Sequence, residues 1–143
     1  MSSFSKVHWS SKSYNWDTPK QVFLDLHQEF NFTLDPTDKP LIGPGCKNGL
    51  SEPWGTKEKP NRIYLNPPYS RTLTKRWIYQ AWKEMYFGRI ELAVFLLPDR
   101  MGTDWASFLI SKDTEFRANR GRLKFGDASE GAPFDSIVAI LRK

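Results

Sequence analysis

Cysteine and histidine are scarce in this 143-residue sequence, which has one cysteine and two histidines. A single thiol, Cys46, cannot form an internal disulfide, so we expect a reducing compartment. It cannot build a thiolate-rich metal site either. His8 and His27 have no ligand-like residues nearby in sequence, so no metal is predicted. Cys46 stands in a Gly-Pro-Gly-Cys-Lys stretch rather than after a strand, which disfavours chemistry that needs a cysteine nucleophile.

Long apolar runs are also missing. No segment approaches the roughly 20 apolar residues that a membrane helix needs, so no membrane association is predicted. The first residues, Met-Ser-Ser-Phe-Ser-Lys, lack the apolar stretch of a signal peptide. The sequence therefore predicts a cytoplasmic protein.

The composition is that of a soluble globular protein, with 39% hydrophobic and 26% charged residues. Its length suits one domain, which we expect over residues 16–143 after a loose, Ser-rich arm at 1–15. The formal net charge is +5. Such a charge attracts polyanions, although it also suits plain solubility. The aromatic residues either fill the core or offer stacking surfaces for bases.

Hydrophobic periodicity predicts alternating strands and helices. Thr18-Pro19 is typical of a helix start, with Thr as the cap and Pro in the first turn. A long irregular connection covers residues 36–61. The alternation predicts a compact α/β domain with a mostly parallel sheet flanked by helices. Strands are predicted at 32–34, 62–65, 92–97, 115–120 and 136–141, and further helices near 72–87 and 103–111.

Polar residues follow three of these strands. Asp35, Asn66 and the pair Asp99-Arg100 each come at a strand end. Ligands of parallel α/β sheets bind outside the carboxyl ends of the strands. We therefore expect the chemistry of these residues to converge on one edge of the sheet.

The segment Asn66-Pro67-Pro68-Tyr69 runs directly out of an apolar strand. It resembles the catalytic motif of amino-methylating methyltransferases. An asparagine amide oxygen and the Pro67 carbonyl can each accept a hydrogen of a ring-bound amino group, and successive prolines hold those acceptors in place. Tyr69 would stack on the base that carries the amino group. An ordinary turn is the alternative, since Asn-Pro and Pro-Pro are common in loops.

The resemblance extends over most of the chain, and the sequence is similar to the phage-type DNA N6-adenine methyltransferase family from about Trp16 to Ile140. It implies a Rossmann-like fold that uses S-adenosyl-L-methionine (AdoMet), with DNA as the substrate and the cofactor site ahead of the tetrad. The similar segments are Trp16 to Pro19, Phe32 to Asp35, Gly49-Leu50, Pro53-Trp54, Leu65 to Tyr69, Leu96 to Pro98, Arg100, Thr103, Trp105, Arg120 to Phe125, and Ala132 to Phe134.

The cofactor residues implied by the resemblance are Trp16, Thr18, Pro19 and Asp35. Trp16 and Thr18-Pro19 resemble a segment that lines the cofactor pocket, and a helix N-terminus there suits the carboxylate of AdoMet. Asp35 would bind a polar group of the cofactor, such as its amino group or ribose. Capping of a helix or a turn is the alternative for both Thr18 and Asp35.

The basic segment Arg120-Gly121-Arg122-Leu123-Lys124 holds three cations in five residues. Arg120, Arg122 and Lys124 are predicted to contact DNA phosphates, with Arg100 reaching the same backbone or the flipped base. A solvated turn is the alternative for this basic segment.

Two other functions share these features. One keeps the tetrad chemistry but methylates cytosine N4, an RNA base or glutamine. The other is a nucleic-acid-binding protein derived from a methyltransferase that has lost its cofactor. Pro36-Thr37-Asp38-Lys39 after Asp35, where the family has small residues, and the small size of the chain favour this second alternative. The intact tetrad argues against it.

Overall fold

A computed structural model of the chain describes residues 18–118 and 135–143. The expected arm at 1–15, Trp16, and the basic segment 120–124 lie outside this part. The seven elements confirm the predicted alternation to within a few residues. They are α1 (Lys20–Phe30), β1 (Asn61–Leu65), α2 (Arg71–Tyr86), β2 (Ile90–Pro98), α3 (Asp104–Ser111), β3 (Glu115–Ala118) and β4 (Ser136–Arg142).

The four strands form a mixed sheet in the order β1-β2-β4-β3. Only β1 and β2 are parallel, whereas β4 runs antiparallel to both of its neighbours. The α/β class is confirmed, but the prediction of a mostly parallel sheet is wrong for the described residues. The run Ile137 to Leu141, where a strand was predicted, is apolar and buried. Such a run carries no information about strand direction.

The predicted strand at 32–34 is reduced to a single parallel bridge between Leu34 and Ile63 of β1. Its hydrogen bonds run from Leu34 N to Arg62 O at 3.2 Å and from Tyr64 N to Leu34 O at 3.1 Å. This short segment therefore extends the sheet beyond β1, on the side away from β2. It leads directly into Asp35.

Helices cover both faces of the sheet. Helix α1 packs on one face, where Phe23 and Phe30 meet Tyr64 of β1 and Val94 of β2. Helices α2 and α3 pack on the other face, against alternate residues of the same strands. The buried residues on this second face include Ile63, Leu65, Trp77, Ile78, Ala81, Phe95, Leu97, Trp105, Leu109 and Ala139.

The long connection between Asp35 and β1 is packed into the domain. Ile42, Cys46 and Trp54 are all buried, and the Trp54 ring stacks on Trp77 of α2 with 6.1 Å between centroids. Gly49 lies so close to this stack that an added Cβ would fall 2.6 Å from the Trp77 ring. The connection is therefore part of the hydrophobic core.

In the part of the chain that the structure describes, none of the helices has the length and apolar character to cross a bilayer.

Candidate active site

Residues Asn66 to Tyr69 connect the buried end of β1 to the first turn of α2. Ser70 caps α2 by accepting a hydrogen bond from Leu73 N at 3.0 Å. The Pro68 carbonyl accepts a bond from Thr74 Oγ1 at 2.8 Å, which holds the segment against the helix. The turn is therefore fixed at both ends, by the sheet and by α2.

Asn66 is oriented by a short chain of hydrogen bonds. Its Nδ2 donates to Thr18 Oγ1 at 3.3 Å, and Thr18 Oγ1 also bonds to the hydroxyl of Tyr64. Tyr64 is fully buried, and burial raises the pKa of its hydroxyl well above the usual value. A neutral phenol in the core therefore anchors Thr18, and Thr18 in turn holds one end of the Asn66 amide.

The predicted capping role of Thr18 is wrong. Pro19 occupies the N-cap position of α1, and no side chain caps this helix. The Thr18 hydroxyl is directed to Tyr64 and Asn66 because a buried tyrosine hydroxyl needs a hydrogen-bond partner. The helix start itself was predicted correctly.

Tyr69 joins the tetrad to β2. Its hydroxyl donates to the carbonyl of Leu96 at 2.9 Å, and burial raises its pKa above the usual value. The side chain is only partly buried. Its polar end is thereby fixed to the sheet, so the angle of the ring is set by β2.

Asp35 accepts hydrogen bonds from its own loop. Thr37 donates to Oδ1 through its amide nitrogen at 3.2 Å and its hydroxyl at 2.8 Å, while Leu41 N donates to Oδ2 at 2.9 Å. Only 5% of the residue is exposed, and desolvation raises the pKa of the carboxyl group to about 6. These bonds make Asp35 an anchor of the loop, in agreement with the alternative prediction that it caps a turn. Its role toward a cofactor remains a prediction.

The three strand ends lie side by side as expected. The segment at Leu34, β1 and β2 are consecutive and parallel, so Asp35, Asn66 and Asp99 follow neighbouring carboxyl ends. Asp99 N donates to Asp135 O at 2.8 Å. Arg100 is exposed beside it, and its carbonyl accepts a bond from Thr103 Oγ1 at 2.8 Å.

The polar groups on this edge offer partners of both charge signs to a polar ligand. The first turn of α1 has neither a side-chain cap nor an acidic residue, so its positive end fits a carboxylate. The Asp35 carboxyl group, one strand away from Asn66, fits an amino group or a ribose hydroxyl. Among the described residues, no group of three or more His, Cys, Asp and Glu side chains is arranged to hold a metal ion.

Sequence reasoning missed Tyr64. The residue stands in the apolar run Ile-Tyr-Leu of β1, where its hydroxyl is the only polar side-chain atom. A tyrosine in such a run is a signal for a buried partner, because an unpaired hydroxyl in the core is costly. The identity of the partner, 46 residues away, was not readable.

Proteins of the α/β class hold their ligands at the carboxyl ends of the strands, which is where Asn66 to Tyr69 lie in this chain. A family model described as DNA N-6-adenine-methyltransferase (Dam) matches residues 5–139, so the chain belongs to this family. The protein is accordingly an adenine-specific DNA methyltransferase, and the family implies AdoMet as the cofactor. No curated protein and no solved structure matches the chain.

Proposed function

We propose that Asn66, Pro67, Pro68 and Tyr69 form the catalytic centre at which the N6 amino group of a flipped adenine is methylated. The observation that carries this proposal is the hydrogen-bond chain from Tyr64 through Thr18 to Asn66. A chain of this kind holds a side-chain amide at a fixed angle, which is what preorganised catalysis needs. We further propose that the complete domain has the AdoMet-dependent methyltransferase fold.

The tetrad supplies acceptors to a poor nucleophile. The lone pair of the adenine amino nitrogen is delocalised into the ring, so the nitrogen must become more tetrahedral before it can react. The Asn66 amide oxygen and the Pro67 carbonyl each accept one amino hydrogen, which favours that geometry. AdoMet, when bound, supplies the electrophilic methyl group. Tyr69 stacks on the extruded base, with its ring angle set by the bond to Leu96.

The cofactor pocket in this proposal lies between α1 and Asp35. Thr18 and Pro19 precede the uncapped start of α1, which receives the AdoMet carboxylate. The Asp35 carboxyl group binds the amino group or the ribose, and Trp16, which lies outside the described residues, is proposed as a further cofactor-binding residue. Thr18 contacts Asn66, so pocket and tetrad share one residue.

DNA is held from the same edge of the sheet. Arg100 is exposed beside the end of β2 and contacts the backbone or the flipped base. Arg120, Arg122 and Lys124 bind phosphates, which carry no sequence information directly. We propose that the methylation takes place in the cytoplasm.

The test is tritium transfer from labelled AdoMet to unmethylated DNA, followed by analysis of the nucleosides. Asn66→Ala should lower turnover about 100-fold, the scale of losing one oriented group in a preorganised site. Calorimetry should show AdoMet affinity little changed. Asn61→Ala is a matched control at the other end of β1, where the side chain donates to Trp54 O and accepts from Thr33. It should cost stability but keep turnover per folded molecule.

Each contrary result has a distinct meaning. Full activity of Asn66→Ala removes the tetrad from the mechanism. Labelled N4-methylcytosine in place of N6-methyladenine changes the acceptor. Absence of both AdoMet binding and transfer in the natural sequence makes the protein a nucleic-acid-binding relative without activity.

A further inference from the structure

Helix α2 carries only positive charge on its solvent-facing side. Arg71, Lys75, Arg76 and Lys83 are all exposed or partly exposed. Its one acidic residue, Glu84, is fully buried. At 3.6 residues per turn, these four cations fall within an arc of roughly 140°. The helix therefore presents one continuous cationic face.

Aromatic side chains share this face. Tyr79 and Tyr86 are 39% and 69% exposed. Trp82 lies between them, stacked on Tyr86 at 5.5 Å, and Lys112, just after α3, has its ammonium group 4.5 Å from the Trp82 ring centroid. Tyrosine hydroxyls and lysine ammonium groups both donate to phosphate oxygens. The α2 face, meaning the exposed side chains of Arg71 to Tyr86, is thus a row of phosphate donors.

The neighbourhood adds further cations. Beyond the C-terminal end of α2, Lys57 and Lys143 line a cleft of about 530 Å³ together with Tyr86, Phe87 and Gly88. One carboxylate faces the row, since Asp104 lies 3.8 Å from Lys75. No ion pair joins Arg71, Arg76 or Lys83 to another described residue. The net field along the helix is therefore positive.

The α2 face starts at the tetrad and leads away from it. Arg71 comes two residues after Tyr69, and the helix has 16 residues. At 1.5 Å per residue it is about 24 Å long. That length spans about seven base pairs at 3.4 Å each. A duplex whose target base enters the tetrad could therefore lie along the whole row.

We propose that the α2 face binds the phosphodiester backbone of the substrate DNA on one side of the target base. The proposal rests on the proposed function, because it takes the tetrad as the place where the base is held. Charge complementarity selects this occupant. A second copy docked on the same face about a two-fold axis would set lysines against lysines, whereas a polyanion releases counterions on binding.

The first measurement is the salt dependence of binding to a 30-base-pair duplex of mixed sequence, at about 50 to 200 mM salt. Lys83→Gln should reduce the slope of log affinity against log salt by about one unit. Lys83→Arg keeps the charge and should behave like the natural protein. Arg142→Gln is the matched control, because Arg142 is exposed near Phe30 on the α1 side, paired with Glu115. It removes the same charge and should leave the slope unchanged.

The second measurement is methyl transfer. Lys83→Gln should raise the KM for DNA and leave kcat unchanged, since a phosphate contact binds the ground state and the transition state alike. Asn66→Ala has the opposite signature, a lower kcat with DNA binding retained. If the natural protein transfers no methyl group but Lys83→Gln still lowers the salt slope of DNA affinity, the proposed function is wrong, whereas DNA binding by the α2 face is supported.

Two results would overturn the proposal. One is a folded Lys83→Gln protein with the same slope and KM as Arg142→Gln. The other is a dimer, seen by sedimentation without DNA, that Tyr86→Asp dissociates while Lys83→Gln leaves the salt slope untouched. Circular dichroism of each variant checks the fold before binding is measured.

Discussion

The bond between Thr18 and Tyr64 gives a prediction in which stability and activity separate. Thr18→Val keeps the shape of the side chain and removes the hydroxyl that Tyr64 needs. Tyr64 is fully buried and has no contact with water. Its hydroxyl would remain buried without this partner. The expected loss of unfolding free energy is about 1–3 kcal/mol, the cost of leaving one buried polar group unsatisfied.

Tyr64→Phe removes the other half of the bond. Alone, it leaves Thr18 with Asn66 as its hydrogen-bond partner, so its cost should be smaller. In the double variant no hydroxyl is left to satisfy, and replacing both partners by apolar groups is close to neutral. The double variant should therefore be more stable than Thr18→Val alone. The double-mutant cycle should give a coupling of about 1–2 kcal/mol.

Turnover should not recover with stability. Both Thr18→Val and the double variant take away the acceptor of Asn66 Nδ2. A neutral hydrogen bond contributes about 0.5–1.5 kcal/mol, which corresponds to a fall in turnover of roughly 2- to 10-fold if it is expressed in the transition state. Tyr64→Phe alone keeps that acceptor and should lose less.

Urea unfolding and tritium transfer on the same four proteins provide the measurements. Turnover is compared per folded molecule, at saturating AdoMet and DNA. A double variant that is stable and as active as the natural sequence would show that Thr18 does not position Asn66. A double variant no more stable than Thr18→Val would refute the argument from the buried hydroxyl.

Three further predictions concern other bonds of the site and its support. Tyr69→Phe loses the anchor on Leu96 but keeps the ring, so turnover should fall less than in Tyr69→Ala, which also loses about 1–3 kcal/mol of base stacking; equal damage in transfer assays would assign the role to the hydroxyl. Burial raises the pKa of Asp35 to about 6, so the folded state holds a proton that the unfolded chain has released. Compared with Asp35→Asn, the natural protein should therefore lose unfolding free energy in urea titrations as pH rises from about 4 to about 6; an increase of that difference would show an ionised Asp35. Glu84→Ala removes a fully buried carboxylate from the partly exposed Arg89 and leaves Trp54 N without its acceptor, so it should cost about 1–3 kcal/mol in denaturant unfolding, and no measurable loss would be the contrary result.

The elements that sequence predicted best are those with long, regular patterns. Helix α2 shows Trp77, Ala81 and Met85 at helical spacing, and its bounds were predicted within about one or two residues. The short segment at Phe32 to Leu34 was overestimated as a strand, since three residues allow only one bridge. The direction of β4 was not predictable because pairing depends on distant residues.

The polar residues at the strand ends located the candidate site from the sequence. The hydrogen bonds between residues far apart in sequence could not be predicted. Asn66 to Tyr69 could be placed after β1 because a local pattern fixes that position. Thr18 was assigned to the wrong bond because the competing partner, Tyr64, is remote in sequence and near only in the fold. Local reasoning favours the nearest helix N-terminus as the partner of a threonine, and a buried hydroxyl outweighs it.

Glu84 joins the long connection after Asp35 to helix α2, whose exposed side is the candidate DNA surface. Its carboxylate accepts a hydrogen bond from the backbone nitrogen of Trp54, in the connection that starts at Asp35, and it pairs with Arg89 just beyond α2. Trp54 also stacks on Trp77, on the buried side of the helix whose other side carries Lys83. If this fully buried carboxylate moved, the Trp54 nitrogen would be left unsatisfied in the core, which costs free energy. The connection and the α2 face are therefore held in one fixed relation before any ligand binds.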